Sequence, residues 1–464
     1  MTQTKVSTHL PASIFKTYDI RGIVGQELTS ETVTLIGHAL GSEARSRGES
    51  HLFCGRDGRL SSPKFHQALI NGLLASGCDV TDLGCVPTPV MGFAARALGP
   101  GNMAMITASH NPPNYNGVKA MLGGESLNPD EIQQLRQRIA QKAFYQGEGS
   151  VTTRDILPDY FSAILTRIKL ARPLRVVVDC GNGVAAKTAP KLLQLLGCQI
   201  IELFCEIDGR FPHHHPDPSE PKNLANLIAT VIDNEADIGL AFDGDGDRLG
   251  VIAPDGRIIW ADLQMILYAE DILVRQPGAT ILFDIKSSRH LAQRISLAGG
   301  HPLIWHSGYT LIKAKMKQCQ APLAGEMSGH IFFSDNWYGI DDGCYSAARL
   351  LAIIAAHKDG PQALFDKLPQ PHATPELLLG MAVEEAKLFV ERLQQAAKFD
   401  NATYITLDGL RIEFVDGWGL VRASNTTPSL TFRFEGDDDA AIKRIQGLFR
   451  DLILSLDPSL VLPF

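Results

Sequence analysis

Residues 175–183, 184–198, 199–204 and 237–248 read RVVVDCGNG, VAAKTAPKLLQLLGC, QIIELF and DIGLAFDGDGDR, and their order decides the fold. A short apolar strand runs into a tight polar turn; an amphipathic helix, a small-residue break and a second strand follow, and a third strand ends in a polar loop. HLFCGRDGR, SSPKFHQALINGLLASGC, DVTDLG and NMAMITASHNP repeat the unit over residues 51–59, 61–78, 79–84 and 102–112. A less regular copy occupies 280–288, 289–300, 301–308 and 322–330, as TILFDIKSS, RHLAQRISLAGG, HPLIWHSG and PLAGEMSGH. Strands alternating with helices predict α/β domains with largely parallel sheets, whose binding groups gather beyond the carboxyl ends of strands. If the three copies surround one central cleft, their last loops, TASHNP (107–112), DGDGDR (243–248) and GEMSGH (325–330), face the same ligand.

Composition shifts divide the chain. QGEGSVTTRD (146–155) is polar and glycine-bearing, APDGR (253–257) is a turn between apolar strands, and the Pro-rich LPQPHATPE (368–376) reads as a linker. Beyond it, the stretch 429–435 alternates Leu430, Phe432 and Phe434 with Thr431, Arg433 and Glu435, the pattern of a half-buried antiparallel strand. The expected architecture is three similar mixed-sheet α/β domains (1–153, 154–255 and 256–369) followed by a smaller α+β C-terminal domain (370–464).

Composition excludes several classes of function. With 464 residues the chain exceeds what one core serves, and 45% hydrophobic with 20% charged residues is the balance of an ordinary globular protein. A formal net charge of -8 argues against nucleic acid or an anionic membrane as partner. The eight cysteines are scattered without a C-x-x-C pair, and the N-terminus is too polar for a signal peptide, so reduced thiols and a cytoplasmic location are expected.

The loops carry the chemistry. Met103 to Ile106 is an apolar run, and Asn111-Pro112-Pro113-Asn114 stops it, leaving Ser109 at a strand tip with His110 beside it and Lys119 soon after. Asp243, Asp245 and Asp247 alternate with glycines and are followed by Arg248. Such oxygen donors suit a hard cation, Mg²⁺ or Ca²⁺. An EF-hand is excluded, because its sixth position would be Arg248 instead of Gly and its twelfth Pro254 instead of Glu. The stretch Arg422 to Pro428 offers a guanidinium, hydroxyls and an amide, and reads equally as a phosphate clamp or as a turn before a strand. Glu326, Ser328 and His330 on a glycine-bracketed loop suit sugar hydroxyls or a simple cap. His213-His214-His215, adjacent in an extended loop, point different ways and read as structural or solvated. Together, a presented serine, a metal triad, a hydroxyl-reading loop and a separate phosphate clamp suggest phosphoryl transfer on a phosphosugar.

TASHNP, DGDGDR, GEMSGH and RASNTTP, in this order and spacing, resemble the motifs of the α-D-phosphohexomutase family, in its bacterial phosphomannomutase/phosphoglucomutase branch, over essentially the whole chain. The resemblance implies a four-domain enzyme moving a phosphoryl group between the 1- and 6-positions of mannose or glucose phosphates through a bisphosphorylated sugar. It implies Ser109 as phosphoserine and as a ligand, with Asp243, Asp245 and Asp247, of Mg²⁺. Hexose 1,6-bisphosphate is the implied activator. Arg21, His110, Lys119, Arg248 and His330 take the remaining catalytic places. Tyr18, Lys286, His306, Gly308, Tyr309, Glu326 and Ser328 contact substrate, and Arg422, Ser424, Asn425 and Thr426 hold its distal phosphate. A monomer acting on small hexose phosphates, with no nucleic acid or membrane, is expected. Phosphoglucosamine mutase and a phosphoserine-dependent sugar phosphatase are the alternatives.

One position departs from the family pattern. Where this branch often has histidine after the glycine of the third-domain loop, the chain has Tyr309. A phenol donates a hydrogen bond but brings no positive charge near neutral pH, so altered substrate affinity is expected.

Overall fold

The computed structural model describes residues 10–424 and 427–464. It divides into two compact units, the first running to Gln264 and including Ser328–Asp366, the second holding Met265–Met327 and Lys367–Phe464.

In the first unit, parallel strands His51–Arg56, Asp79–Cys85, Met103–Ile106 and Val151–Thr153 form one side of a sheet, and Tyr115–Leu122 and Ile20–Ile23 extend it antiparallel. The sheet is therefore mixed, with its antiparallel part at the end carrying the chain from Met103–Ile106 back through Tyr115–Leu122. Helices Ser30–Ser46 and Ser62–Ala75 cover it. They approach so closely that a Cβ on Gly72 would lie 2.1 Å from the Thr34 carbonyl oxygen. The polar stretch 146–155 is less of a break than its composition suggests, because Val151–Thr153 pairs with Asp79–Cys85.

A second sheet in the same unit has the order Ile258–Ile259, Leu249–Ile252, Ile238–Phe242, Arg175–Asp179 and Gln199–Leu203. Ile238–Phe242, Arg175–Asp179 and Gln199–Leu203 pair parallel, and Leu249–Ile252 and Ile258–Ile259 extend the sheet antiparallel at one end. Val176, Val177 and Val178 are fully buried, as a central strand covered on both faces requires. Each sheet thus presents a strand tip, Ile106 in one and Phe242 in the other, from which a polar loop departs.

In the second unit, Thr280–Asp284 lies between His301–Trp305 and Leu323–Gly325, all parallel. A separate antiparallel sheet is built on Leu410–Phe414, Gly417–Ala423 and Ser429–Gly436, with helices Val383–Ala396 and Asp439–Leu456 against it. Two expectations change here. The Pro-rich stretch is not a free linker: His372–Ala373 and Leu377–Gly380 both pair with Ser429–Gly436. Between them Thr374 keeps the alignment, its N–H donating to Phe434 O at 2.9 Å and its Oγ1 accepting from Phe434 N at 3.1 Å. Prolines 371 and 375 flank edge-strand pieces, where a missing N–H is tolerated.

The second change concerns Ser429–Gly436 itself, whose alternation does not mark a solvent face: Thr431, Arg433 and Glu435 are buried too. Glu435 Oε1 accepts from Ser288 Oγ at 3.0 Å and Arg289 N at 3.2 Å, and Arg433 donates to Lys286 O. The polar side of the strand satisfies another loop instead of water.

Candidate active site

Ser109 follows its strand directly and is 1% exposed, with φ 48°, a left-handed conformation unusual for a residue with a Cβ. Its N–H is held by Thr107 Oγ1 at 2.9 Å, and its Oγ donates to Asp243 Oδ2 at 2.7 Å. The aspartate loop reaches the serine only because it contains glycine, since a Cβ on Gly244 would lie 2.3 Å from Ser109 O. His110 places Nδ1 3.2 Å from Ser109 Oγ. Burial, then Arg248 and Arg21, pushes His110 well below its usual value, so the ring is neutral.

Asp243, Asp245 and Asp247 are all buried, and each offers a carboxylate oxygen within 4.8 Å of the others. Asp243 Oδ1 accepts backbone N–H groups from Gly246 at 3.0 Å and Arg248 at 3.2 Å. Lys119 Nζ lies 2.8 Å from Asp245 Oδ2 and 2.6 Å from Asp247 Oδ2, and Thr88 Oγ1 donates to Asp245 Oδ2 at 2.6 Å. Burial and then the charges of Asp247 and Asp245 push the Asp243 carboxyl well above the ordinary range. Burial opposes the charge of the other two as well, but Lys119 beside them holds both below their ordinary value. Asp245 Oδ1 and Asp247 Oδ1 are buried and accept no hydrogen bond. Clustered carboxylates with orphaned oxygens and no soft donor fit a hard divalent cation.

Around this cluster the first unit gathers most of the catalytic residues expected from sequence. Arg21 pairs with Asp19 at 2.7 Å and donates to Asn111 Oδ1 and, at 3.3 Å, to Ala108 O, so it touches the serine loop. Arg248 Nε donates to His330 Nε2 at 3.0 Å, and His330 Nδ1 lies 3.1 Å from Asp341 Oδ2. Tyr18, in the turn ahead of Ile20–Ile23, and Ser328 are half-buried in the same unit. His213 and His214 are structural: His213 Nδ1 meets Asn182 Oδ1 at 2.8 Å, and His214 Nε2 meets Asp179 Oδ2 at 3.0 Å.

The second unit carries the other group. Glu326 Oε1 accepts the Gly308 N–H at 2.9 Å, at a φ of 135° that glycine tolerates, and Tyr309 opens the helix Tyr309–Cys319. His306 stands edge-on to Trp305. Lys286 Nζ pairs with Glu376 at 2.8 Å; burial opposes its charge, but Glu376 and Asp284 raise it above its ordinary value. Arg422 pairs with Asp408 at 3.1 Å, and Asp408 also accepts the Ser307 N–H at 2.9 Å. Ser424 Oγ accepts from Thr427 N at 3.2 Å. Asn425 and Thr426 lie outside the described residues.

Sequence reasoning missed Thr88, Thr107, Asp341, Glu376 and the buried Arg59. The first-copy turn GRDGR at 55–59 was the available signal, since charged residues in a strand-tip turn of the repeat stand where binding groups gather.

Three α/β segments, a smaller C-terminal segment and a strand-tip serine bonded to a metal-ligand cluster together define the α-D-phosphohexomutase class. The four domains described as phosphoglucomutase/phosphomannomutase alpha/beta/alpha domains I, II and III and C-terminal domain match residues 12–146, 158–256, 260–372 and 378–452. The chain is 50% identical over 464 residues to a phosphomannomutase/phosphoglucomutase of Pseudomonas aeruginosa, covering 100% of both chains. It is 48% identical over 454 residues to a phosphoglucomutase of Neisseria gonorrhoeae, covering 97% of this chain and 98% of that one. The crystal structure of a phosphoglucomutase/phosphomannomutase family protein from Burkholderia thailandensis superposes with a TM-score of 0.95 at 49% identity, covering 98% of this chain and 100% of that one. The chain belongs to the phosphoglucomutase/phosphomannomutase family.

Proposed function

We propose that this chain is a phosphomannomutase/phosphoglucomutase, reversibly moving the phosphoryl group of mannose or glucose phosphates between the 1- and 6-positions by way of phospho-Ser109 and a bisphosphorylated sugar. The observation that carries this reading is the Ser109 Oγ to Asp243 contact at 2.7 Å within a buried acidic cluster. A serine so placed can carry a phosphoryl group, whereas a hydrolase would gain nothing from the separate clamp residues Arg422 and Ser424. The names of relatives at 48–50% identity point the same way.

Asp243, Asp245 and Asp247, with an oxygen on Ser109, would hold Mg²⁺. Bound there, the ion neutralises charge on the transferred phosphoryl group. Transfer breaks the bond from phosphorus to Ser109 Oγ and forms one to a sugar hydroxyl, whose proton must leave. Lys119 and Arg248 supply positive charge to the phosphoryl oxygens, and Arg21 steadies the loop. His330, oriented by Asp341, is the group placed to handle that proton, and neutral His110 can accept a proton from Ser109 when the serine is rephosphorylated. Glu326 and Ser328 read sugar hydroxyls, helped by Tyr18, Lys286, His306, Gly308 and Tyr309. Arg422, Ser424, Asn425 and Thr426 hold the phosphate that is not reacting. The same reading assigns four functional segments, 1–153, 154–255, 256–369 and 370–464, to serine presentation, metal binding, sugar binding and phosphate binding.

Hexose 1,6-bisphosphate is the activator in this scheme, and the enzyme works as a cytoplasmic monomer. All eight cysteines are unpaired, and among the described residues no helix is long and apolar enough to cross a membrane. The test supplies Mg²⁺ and glucose 1,6-bisphosphate and compares mannose 1-phosphate, glucose 1-phosphate and glucosamine 1-phosphate. Isomerisation of the first two is expected; inorganic phosphate as the main product would refute a mutase.

A further inference from the structure

Arg59 is 1% exposed, in the turn that follows the strand His51–Arg56, and its guanidinium is spent almost wholly on the serine loop. Nη2 donates to Ser109 O at 2.7 Å and Asn111 O at 2.6 Å, and Nη1 donates to Pro112 O at 2.7 Å and Tyr115 O at 3.1 Å. The remaining nitrogen, Nε, lies 3.2 Å from Asp57 Oδ2. A planar fork with fixed donors can reach several carbonyls at once, which a lysine ammonium cannot do in the same geometry.

The arginine is itself held in place. Asp57 Oδ1 accepts its backbone N–H at 3.0 Å and the Ser62 hydroxyl at 2.5 Å, and Asn116 Nδ2 donates to Ser62 Oγ at 3.0 Å. The Phe211 ring lies 5.2 Å from the guanidinium carbon, and a Cβ on Gly209 would come within 2.7 Å of Arg59 Cα. Burying a charge this fully is costly, and burial does pull Arg59 below its ordinary value. A group retained at that cost and aimed at four carbonyls of one loop has a job in that loop.

The loop needs such a brace, because Ser109 sits at φ 48°. A left-handed non-glycine residue persists only where its surroundings over-determine it, at a cost of about 1–3 kcal/mol. Arg21 contributes from the other side through Ala108 O and Asn111, but it is half-buried and shares its guanidinium with Asp19.

We infer that Arg59 is a positioning residue for phosphoryl transfer: it clamps the carbonyls of 109, 111, 112 and 115 and so fixes Ser109 Oγ toward Asp243, without touching the substrate. The inference rests on the proposed function and deepens it. Its consequence is a split between rate and affinity, since misplacing a reacting atom by about 1 Å can cost on the order of a hundredfold in rate while substrate contacts elsewhere persist.

The experiment measures kcat and KM for glucose 1-phosphate isomerisation in the Mg²⁺-loaded protein for wild type, Arg59→Lys, Asp57→Asn and Ser109→Ala, with near-UV circular dichroism as the fold control. Arg59→Lys is expected to lose about a hundredfold in kcat with KM within about twofold. Asp57→Asn, which keeps an acceptor for the Arg59 N–H and the Ser62 hydroxyl, should lose less, about tenfold, in the same parameter. If Arg59→Lys fails to fold, Asp57→Asn decides alone. An unchanged kcat in the folded variants, or a change confined to KM, overturns the positioning role. Failure of the mutase reading looks different: wild type would not isomerise the sugar, or Ser109→Ala would remain active.

Discussion

Gly244 and Ser109 approach each other so closely that a single added methyl on the glycine would stand 2.3 Å from the serine carbonyl oxygen. The neighbour is backbone, and Arg59 Nη2 pins that same oxygen at 2.7 Å, so neither side can give way cheaply. Gly244→Ala is therefore expected to push the metal loop off the serine. Overpacking of this kind costs about 1–3 kcal/mol, and activity should fall far more than stability does. Urea unfolding read beside a mutase assay checks this, and an alanine variant with wild-type activity would contradict the contact.

Removing divalent metal should abolish isomerisation, because the side chains of Lys119 and Arg248 alone do not offset three buried carboxylates at 243, 245 and 247 facing the phosphoryl group. Activity is expected to return with Mg²⁺, and saturating Mg²⁺ should raise the melting temperature, as any ligand of the native state does. Chelator-treated protein that keeps full activity and an unshifted melting curve would argue against metal at this cluster.

Asp342 gives a pH signature away from the chemistry. It accepts from Tyr160 Oη at 2.9 Å, Trp337 Nε1 at 3.2 Å and Tyr345 N at 2.9 Å, and burial pushes its carboxyl up to about 6. The folded protein thus binds this proton more tightly than the unfolded chain, so the contribution is full below the unfolded pKa and is lost as pH rises through about 6. The loss between about pH 4 and pH 6 amounts to roughly 3 kcal/mol. Asp342→Asn should flatten that part of the stability curve, measured by urea denaturation across the window. Parallel curves for the two proteins would show that Asp342 does not titrate there.

In the second unit Arg411 does for the Lys286 loop what Arg59 does for the serine loop. It donates to Ile285 O at 2.6 Å and Ser287 O at 2.7 Å, with its guanidinium carbon 3.7 Å from the Trp418 ring centroid. Arg411→Met leaves two buried carbonyls unpaired, an expected cost of about 1–3 kcal/mol, and KM for hexose phosphate should rise as Lys286 shifts. Unchanged stability and KM would show that other contacts hold the loop.

What the sequence disclosed and what it concealed differ in range. Met103–Ile106 as a strand, Ser109 at its tip and the aspartates in a glycine-spaced loop follow from local rules of periodicity, turn residues and ligand chemistry, and the structure has them where those rules put them. Arg59 was missed because, although the charged turn GRDGR marks a place where binding groups gather, the four carbonyls it holds lie 50 residues or more further on. Glu376 was hidden in a stretch whose prolines suggested a linker, although edge strands tolerate proline. The buried polar face of Ser429–Gly436 was misread for a related reason. Alternation shows that a strand has two faces, but whether the polar one meets water or another loop is settled only by tertiary packing.

The most direct test of the whole account is intact-mass analysis of the protein before and after exposure to glucose 1,6-bisphosphate and Mg²⁺, in wild type and in Ser109→Ala. The account predicts a phosphate-sized adduct on wild type that localises to Ser109 and is discharged by glucose 1-phosphate as isomerisation proceeds, with neither adduct nor isomerisation in the variant. An adduct on another residue, or sustained isomerisation by Ser109→Ala, would contradict it.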